Sequence, residues 1–282
     1  MRQRREVRPG RPRLFGELRG LGLALGSTQA LLDGEVVGVG FGIPCLIDQR
    51  TGTAVMAVNL PLNHLPFRDL MAERLGLPVT IDNDANCAAL AEARAGAGRG
   101  ASELVMLTLG TGIGGGLVLG GELYRGSVGA AAELGHMVVD LDGPPCQGSC
   151  PNRGCLESVA SGTALVRAAS LAVASRPDTA LGRALEDGRP LTGPLVTELA
   201  HDGDAAAVEA LALIGGWLGV GIANLVNMLN PEVVVIGGGV VAAGELLLEP
   251  ARRWPSGRFI VAGPQYPETI AWPANVERQS HL

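Results

Sequence analysis

Three cysteines and one histidine lie close together in a turn-rich stretch from Glu133 to Glu157, ELGHMVVDLDGPPCQGSCPNRGCLE. Three thiolates and an imidazole can form a closed tetrahedral Zn²⁺ shell, which is typical of structural zinc sites. The surrounding Gly and Pro residues favour the tight turns by which a loop folds round an ion. Because four protein ligands leave no position for a catalytic water, the sequence predicts a structural Zn²⁺ held by His136, Cys146, Cys150 and Cys155.

The zinc prediction competes with a simpler interpretation, in which the cysteines are small buried hydrophobic residues. Three cysteines between positions 146 and 155, among Gly, Pro and Asn, make a poor core, so their spacing favours a metal site. Such a site would fix the flanking carboxylates of Glu133 and Glu157. Carboxylates are good acceptors for the hydroxyl groups of a sugar, so the same stretch is a candidate sugar site.

A second candidate is IDNDAN, which runs from Ile81 to Asn86. It follows an apolar strand and precedes an Ala-rich helix, and open α/β sheets bind ligands at junctions of this kind. Asp84 could accept a proton from a hydroxyl group that attacks phosphorus. The alternative is helix capping by Asp82, Asn83 or Asp84, and one residue can cap while another catalyses.

Glycines are concentrated in LTLGTGIGGGLVLGG, between Leu107 and Gly121. The apolar runs 104–109 and 113–119 flank a Gly-Thr-Gly turn and predict a β-hairpin. Successive N–H groups in such a turn can bind an anion, and the hydroxyl group of Thr111 beside them suits a phosphate. A tight turn without a ligand would have the same glycines.

A third glycine run follows the apolar stretch 232–236, in VVVIGGGVV. A buried strand that leads through glycines into a helix is a common nucleotide-binding device. A close packing turn between a strand and a helix would have the same sequence. This motif alone therefore leaves both interpretations open.

Strands alternate with helices along the chain, which indicates an α/β fold. Strands are predicted at residues 35–44, 78–81, 104–109, 113–119 and 232–236. Helices are predicted at residues 18–32, 66–75, 83–97, 161–175 and 205–229, and from the last glycine run to about residue 248.

Composition argues against several classes of function. A net charge of −6 disfavours general nucleic-acid binding, and no apolar run of about 18 residues is free of polar interruption, so no membrane span is predicted. The cysteine usage suits a reducing, cytoplasmic compartment. The chain has no lysine, and its 22 basic residues are all Arg, so a phosphate must be held by backbone N–H groups, Arg or a metal.

Together and in this order, these motifs resemble those of the ROK family, which comprises repressors, uncharacterised reading frames and sugar kinases. The resemblance covers residues 36–250 and is most specific in DNDANCAALAE, TLGTGIGGG, AAELGHMVVDLDGP and RGCLESVASG. It implies an α/β fold of the actin-like ATPase (ribonuclease H-like) type, with two lobes around a cleft. The first lobe is expected to be incomplete.

The resemblance also implies roles for individual residues. Asp84 matches the catalytic base, which deprotonates a sugar hydroxyl for attack on the γ-phosphate of ATP, supplied with Mg²⁺. The sugar-binding positions are matched by Asn83, Glu133, His136 and Glu157. The nucleotide-binding positions are matched by Gly110, Thr111, Gly112 and Gly114 in the second phosphate loop and by Gly237, Gly238 and Gly239 in the adenosine loop.

Parts of the family pattern are missing from this chain. Residues 1–35 contain no DxGGT phosphate loop, and the closing AGxxGAA helix is absent, so the sequence predicts a chain truncated at both ends. The expected divisions are a non-family tail (1–34), a remnant of the N-terminal lobe that carries the catalytic Asp (35–98), a C-terminal lobe (99–262) and a disordered tail (263–282).

Three smaller departures fall in the candidate site. Cys45 stands where the family usually has Gly beside the sugar, and Ala132 stands where Gly often precedes the Glu. Three residues separate Cys146 from Cys150, where the commoner CxCGxxGC pattern has one. The zinc site is compatible with this longer spacer if the loop bulges.

The sequence therefore predicts an ATP-dependent hexose kinase that acts on the 6-hydroxyl of glucose. N-Acetylmannosamine or another N-acetylated hexosamine is an alternative substrate, and polyphosphate is an alternative donor. A second hypothesis is a degenerate ROK protein that binds sugar without transferring phosphate, because the first phosphate loop is missing. The expected partners are a sugar and a nucleotide, without nucleic acid or membrane, and the resemblance is compatible with a homodimer.

Overall fold

A computed structural model describes residues 37–57, 60, 62–253, 259–261 and 269–270 of the chain. The strands are β1 Val39–Ile43, β2 Leu46–Asp48, β3 Thr53–Met56, β4 Val79–Asn83, β5 Leu104–Leu109, β6 Ile113–Leu119, β7 Glu122–Leu123, β8 Val233–Gly237, β9 Phe259–Val261 and β10 Thr269–Ile270. The α-helices are α1 Phe67–Leu75, α2 Asp84–Ala95, α3 Leu156–Ala160, α4 Gly162–Ser175, α5 Ala180–Glu186, α6 Gly193–His201, α7 Ala205–Leu229 and α8 Glu245–Arg252. Leu134–His136 and Gly239–Ala243 form 3₁₀ helices.

Strands β1 and β4 form a two-stranded parallel sheet in which Ile43 lies beside Asn83. The hairpin of β2 and β3 and helix α1 pack with this sheet around a separate core, where the rings of Phe41 and Phe67 meet edge to face with centroids 5.4 Å apart. Aromatic pairs favour this arrangement. The packed sheet gives a fixed end to β4, directly before helix α2.

The larger sheet has six strands in the order β10-β9-β8-β5-β6-β7. Strands β5 and β6 pair antiparallel, whereas β5 and β8 pair parallel, with Thr108 beside Gly237. Every residue of β8 is buried, as expected for a parallel strand with both faces covered. Since parallel strands end at the same edge, the glycine-rich turns that follow β5 and β8 lie side by side.

Helix α2 packs very closely against β6 because β6 has glycine at the facing positions. A Cβ atom on Gly116 would lie 2.5 Å from Ala89 Cβ, and one on Gly114 would lie 2.9 Å from Ala85 Cβ. These distances are too short for real Cβ contacts, so only glycine permits the approach. The close contact holds the first turn of α2, which begins at Asp84, against the larger sheet.

Helix α7 is the central helix of the larger unit and contacts α3, α4, α6 and α8. It begins where the Asp204 carboxylate accepts a hydrogen bond from the backbone N–H of Ala207 at 3.0 Å, as an N-cap residue does. Over the described residues it is the one helix whose length and composition fit a membrane span (mean hydropathy 1.8), and 56% of that window is buried inside the protein.

Several predicted elements are confirmed, and others are corrected. The β5–β6 hairpin and helix α7 have the predicted bounds, whereas the strand predicted at residues 35–44 is shorter in the structure. The helix expected directly after Gly239 begins as a 3₁₀ helix, and α8 starts later, at Glu245. The β2–β3 hairpin and helices α3, α5 and α6 were not predicted. The helix predicted at residues 18–32 lies outside the described residues.

Candidate functional site

Neighbouring side chains of the IDNDAN segment have different roles at the start of α2. Asn83 is the N-cap residue, and its Oδ1 accepts hydrogen bonds from the backbone N–H groups of Ala85 (2.9 Å) and Asn86 (3.2 Å). Asp84 follows as the first helical residue and is exposed. Since Asn83 caps the helix, the carboxylate of Asp84 remains open to solvent and available to a ligand.

A pocket lies where the smaller sheet meets the larger one, and residues of both line it. The residues that line it include Asn83, Asn86, Gly114, Gly115 and Glu133. Small-molecule sites often lie between two structural units, so this position makes the pocket a candidate binding site. The structure thus brings together two of the predicted sugar-binding residues, Asn83 and Glu133.

Both sequence departures next to the predicted sugar site line this pocket. Cys45 is buried, and its thiol donates a hydrogen bond to the Leu46 carbonyl at 3.1 Å. Ala132 has φ 68°, in the left-handed region that favours glycine. The Ala at this position therefore keeps a conformation that places Glu133 in the pocket wall at a cost in backbone strain.

The carboxyl group of Glu133 lies in a charged and crowded environment. Its side chain is 58% exposed, yet the surrounding pocket atoms desolvate it, and this burial is the main reason why its pKa is raised. The positive charge of His136 lowers the pKa, and the negative charges of Glu157 and Asp84 raise it. Three of the predicted site carboxylates are therefore close enough to interact electrostatically.

The four predicted zinc ligands converge. The ligand atoms of His136, Cys146, Cys150 and Cys155 all lie within 4.8 Å of one another. Cys146 Sγ is 3.4 Å from His136 Nδ1, close to the roughly 3.6 Å that a tetrahedral ion with ordinary Zn–S and Zn–N bonds would impose. The donor set and its spacing therefore fit Zn²⁺.

The same cluster is unfavourable as a group of free thiolates. Burial, followed by hydrogen bonding with Cys155 and Cys150, raises the pKa of the Cys146 thiol. Burial also raises the pKa of Cys155. A bound cation reverses this preference, since a coordinated thiol loses its proton.

His136 lies between this cysteine cluster and the pocket. Its Nδ1 faces Cys146 Sγ, and its Nε2 lies 4.0 Å from Glu133 Oε2. The ring is held in place by the 3₁₀ helix Leu134–His136. One imidazole therefore lies between the candidate metal site and Glu133 of the pocket, and its contact with a sugar stays a prediction.

Two carbonyl groups in the turn of residues 110–112 accept hydrogen bonds from the start of α4. Gly110 O accepts a hydrogen bond from Gly162 N at 2.8 Å, and Thr111 O accepts one from Thr163 Oγ1 at 2.9 Å. None of the described residues accepts a hydrogen bond from the backbone N–H of Thr111 or Gly112. These free donors form a suitable site for a phosphate oxygen.

Glu157 touches both the phosphate turn and the cysteine cluster. Its Oε2 accepts a hydrogen bond from Ile113 N at 2.8 Å, and its Oε1 lies 3.9 Å from Cys146 Sγ. The carboxylate packs directly against the turn, because a Cβ atom on Gly112 would come within 2.1 Å of it. The predicted contact of Glu157 with a sugar stays a prediction.

The second glycine run lies against the end of β5. Gly238 has φ 95°, and a Cβ atom there would lie 2.4 Å from Leu109 O, so the turn after β8 requires glycine. Gly237 ends β8 and Gly239 opens the following 3₁₀ helix. This turn therefore lies next to the phosphate turn, where a nucleotide could span both.

Two contacts near the site were not predicted from the sequence. Asp82 pairs with Arg125, and Gln147, in the longer spacer between Cys146 and Cys150, reaches the phosphate turn. Gln147 Nε2 donates to Thr111 O at 3.3 Å and lies 3.1 Å from Ser161 Oγ. The wider cysteine spacing was the available signal for Gln147, and the neighbouring Asn83 and Asp84 were the signal for Asp82.

Comparison with known proteins places this geometry in a family. A model of the ROK family matches residues 24–277, which extends beyond the motif-based resemblance at both ends. The chain is 42% identical over 220 residues to a glucokinase of Halalkalibacterium halodurans, covering 78% of this chain and 66% of that protein. A glucokinase of Streptomyces coelicolor is 37% identical over 232 residues, covering 81% and 72%.

A putative xylose repressor of Caldicellulosiruptor sp. is also similar, with 39% identity over 219 residues, 77% of this chain and 54% of that protein. Among solved structures, a ROK family glucokinase from Streptomyces griseus, in complex with glucose and AMPPNP, matches with a TM-score of 0.78 and 35% identity, covering 88% of this chain and 83% of that one. The chain belongs to the ROK family, and it has the actin-like ATPase fold of the ROK sugar kinases.

Proposed function

We propose that this protein transfers the γ-phosphate of ATP to the 6-hydroxyl of glucose. The observation that carries the proposal is a pocket lined by Gly114 and Gly115, which follow in the chain shortly after a turn with free backbone donors. Asn83 and Glu133 line the pocket, and the exposed Asp84 is close enough to Glu133 to influence its pKa. The backbone N–H groups of Thr111 and Gly112 have no acceptor among the described residues, in the turn that follows β5.

The similar proteins support this choice of chemistry. Two relatives that are 42% and 37% identical to this chain over the aligned residues are glucokinases. The S. griseus structure contains glucose and AMPPNP, a non-hydrolysable analogue of ATP.

The transfer requires one proton acceptor and a site for developing negative charge. Asp84 accepts the proton of the sugar hydroxyl while the oxygen of that hydroxyl forms a bond to the γ-phosphorus of ATP. The bond between the γ-phosphorus and the bridging oxygen breaks, and ADP leaves with that oxygen. The N–H groups of Thr111 and Gly112 stabilise negative charge on the phosphate oxygens. Mg²⁺ enters with ATP as part of the co-substrate.

We also propose that His136, Cys146, Cys150 and Cys155 hold one structural Zn²⁺. When bound, the ion ties the loop that follows the pocket wall to the start of α3. The chain's own residues do the rest: His136 keeps Nε2 towards Glu133, and Glu157 supports the phosphate turn.

The test is turnover of the purified protein with glucose and ATP, followed by ADP formation. Asp84→Asn should lower kcat by about 10²- to 10⁴-fold, because the proton acceptor is lost, while glucose binding measured by calorimetry is kept. Asp69→Asn, at an exposed position of α1, should leave kcat unchanged. N-Acetylmannosamine and polyphosphate in the same assay decide the substrate and the donor. Absence of turnover with every hexose would refute the proposal.

The similarity to a putative xylose repressor favours a second candidate, a protein that binds a sugar without phosphorylating it. The two candidates differ in nucleotide binding. Calorimetric titration with a non-hydrolysable ATP analogue in the presence of glucose separates them. Binding of glucose without the nucleotide would favour the second candidate.

A further inference from the structure

Asp82, next to the last residue of β4, has a nearly saturated carboxylate. Its Oδ1 accepts hydrogen bonds from Gln49 Nε2 (3.1 Å), the backbone N–H of Asn83 (2.8 Å) and Asn86 Nδ2 (3.1 Å). Its Oδ2 accepts from Nε and Nη2 of Arg125, at 2.8 and 2.6 Å. The side chain of Asp82 is only 13% exposed, so these charge-assisted bonds hold it much more firmly than a surface pair would.

The partners of Asp82 belong to three separate parts of the fold. Gln49 follows β2, Asn86 lies in the first turn of α2, and Arg125 follows β7. Arg125 also begins the segment that ends at Glu133, which lines the pocket. The carboxylate therefore joins the strand end that carries the proposed base to the segment that carries the proposed sugar acceptor.

The segment between Arg125 and Glu133 has little freedom to absorb a shift. Ala131 N donates a hydrogen bond to Arg125 O at 3.1 Å, which closes the segment into a compact loop. A Cβ atom on Gly129 would lie 2.4 Å from Ile47 O, so the loop presses on the β2–β3 hairpin. We therefore expect a displacement of Arg125 to shift Glu133 as well.

Asp82 also fixes the amide of Asn86, which lines the pocket. An ionised carboxylate only accepts hydrogen bonds, so Asn86 Nδ2 must face Asp82 and Oδ1 must face away. Asn86 is 3% exposed, and no described residue donates a hydrogen bond to its Oδ1. Unpaired buried acceptors are uncommon and suggest a functional constraint on their surroundings.

We propose that Asp82 is a positioning residue for phosphoryl transfer. By holding Arg125 and the first turn of α2 together, it sets the separation between Asp84, the base, and Glu133, the sugar acceptor. Transfer is sensitive to this separation, because a misplacement of about 1 Å at a reacting centre can cost about 100-fold in rate. This inference rests on the proposed kinase function.

The test uses two variants that break the link from either side. Asp82→Asn keeps the shape of the side chain, but its new NH₂ group must face groups that are themselves hydrogen-bond donors. Arg125→Met removes the positive charge that pairs with Asp82. Each should lower kcat for glucose phosphorylation by about 10- to 100-fold, with a smaller change in the KM for ATP. Arg125→Lys, which keeps the charge but not the paired N–H groups, should recover part of the loss.

A second ion pair between neighbouring elements provides the matched control. Arg94 of α2 and Glu122 of β7 lie 3.6 Å apart and are 62% and 84% exposed. Arg94→Met should leave kcat unchanged, because this pair does not reach the pocket. Melting temperatures of all variants identify any loss that comes from unfolding.

The outcomes separate this inference from the function on which it rests. A wild-type protein without turnover overturns both. An active wild type whose Asp82→Asn and Arg125→Met variants keep full kcat overturns the positioning role alone. The role is also overturned if kcat falls only in step with the melting temperature, or if Arg125→Lys is no better than Arg125→Met. If Asp82→Asn does not fold, the two Arg125 variants decide.

Discussion

At the scale of single residues, the site works by giving neighbouring polar groups different tasks. Asn83 caps α2 with its side-chain oxygen, which leaves the carboxylate of Asp84 exposed. Asp82, which directly precedes Asn83, is mostly buried and forms an ion pair with Arg125. Three consecutive residues thus supply a link between elements, a helix cap and a proposed base.

The sequence predicted these residues unequally, for a physical reason. The zinc ligands and the candidate base lie in short local motifs, so their spacing alone suggested convergence, which the ligand distances agree with. Two of the partners of Asp82, Gln49 and Arg125, are 33 and 43 residues away in the chain. Contacts of that separation depend on how whole elements pack, and local patterns carry no information about them.

Gln147 gives a prediction at this scale. Gln147→Ala should raise the KM for ATP about two- to tenfold, as expected for the loss of a neutral hydrogen bond, because the phosphate turn loses a donor on Thr111 O. The KM for glucose should stay near its wild-type value. Steady-state kinetics with each substrate varied in turn measures the difference.

Asn152→Ala is the control for Gln147→Ala. Asn152 is exposed in the same cysteine loop, and the hydrogen bond that its carbonyl accepts from Cys146 N does not depend on its side chain. The variant should leave both KM values unchanged. Equal rises in both KM values for Gln147→Ala would contradict its assignment to the phosphate turn.

At the scale of elements, long apolar runs were predictable and short strands were not. The β5–β6 hairpin and α7 carry enough consecutive apolar residues to define their own ends. Strands β2 and β3 have three and four residues, too few for an alternating pattern to emerge. Their pairing is set by packing on the core of the smaller sheet, where Ile47 and Ala54 are buried.

Two adjacent glycines in α7 give opposite predictions. A Cβ atom on Gly215 would lie 2.4 Å from Leu247 O, whereas nothing lies within 4 Å of one on Gly216. Gly216→Ala should raise the free energy of unfolding by about 0.5–1 kcal/mol, because alanine favours the helix. Gly215→Ala should lower it by about 1–3 kcal/mol, because α8 must move away.

Chemical denaturation of the two variants beside the wild type measures this difference. The pair controls for helix propensity, since both sites lie in the same helix. Similar shifts for both variants would show that the contact between α7 and α8 is looser than the structure indicates.

At the scale of the whole molecule, two units with separate cores meet at the pocket. Residues of the smaller sheet and its hairpin form one core, and the helices around α7 form another. Helix α2 begins beside the smaller sheet but packs on the larger one, where Ala89 shares a core with Met106 and Val118. The division expected between residues 98 and 99 stays a prediction.

Zinc removal tests how far the metal site stabilises the whole chain. Purified protein should contain one Zn²⁺ per chain by elemental analysis. Chelation should lower the melting temperature by about 5–10 °C, as expected when a ligand bound well above its Kd is lost. Re-addition of Zn²⁺ should restore the original value.

Cys150→Ser and Cys87→Ser provide the matched pair for the zinc prediction. Cys150 belongs to the cluster, whereas Cys87 lies on α2 outside it. Only Cys150→Ser should lose the metal. A zinc-free protein with an unchanged melting temperature would remove the proposed metal from this chain.

The phosphate turn has one more consequence, for the tolerance of this protein to mutation. Its free donors are the main-chain amides of Thr111 and Gly112, and among the standard amino acids only proline lacks such a hydrogen. A new side chain removes neither donor, although any side chain at Gly112 would collide with Glu157. Drift at these positions can therefore alter nucleotide affinity mainly by bending the chain. Selection on that affinity should act through the supporting residues behind the turn, where a change of shape is possible.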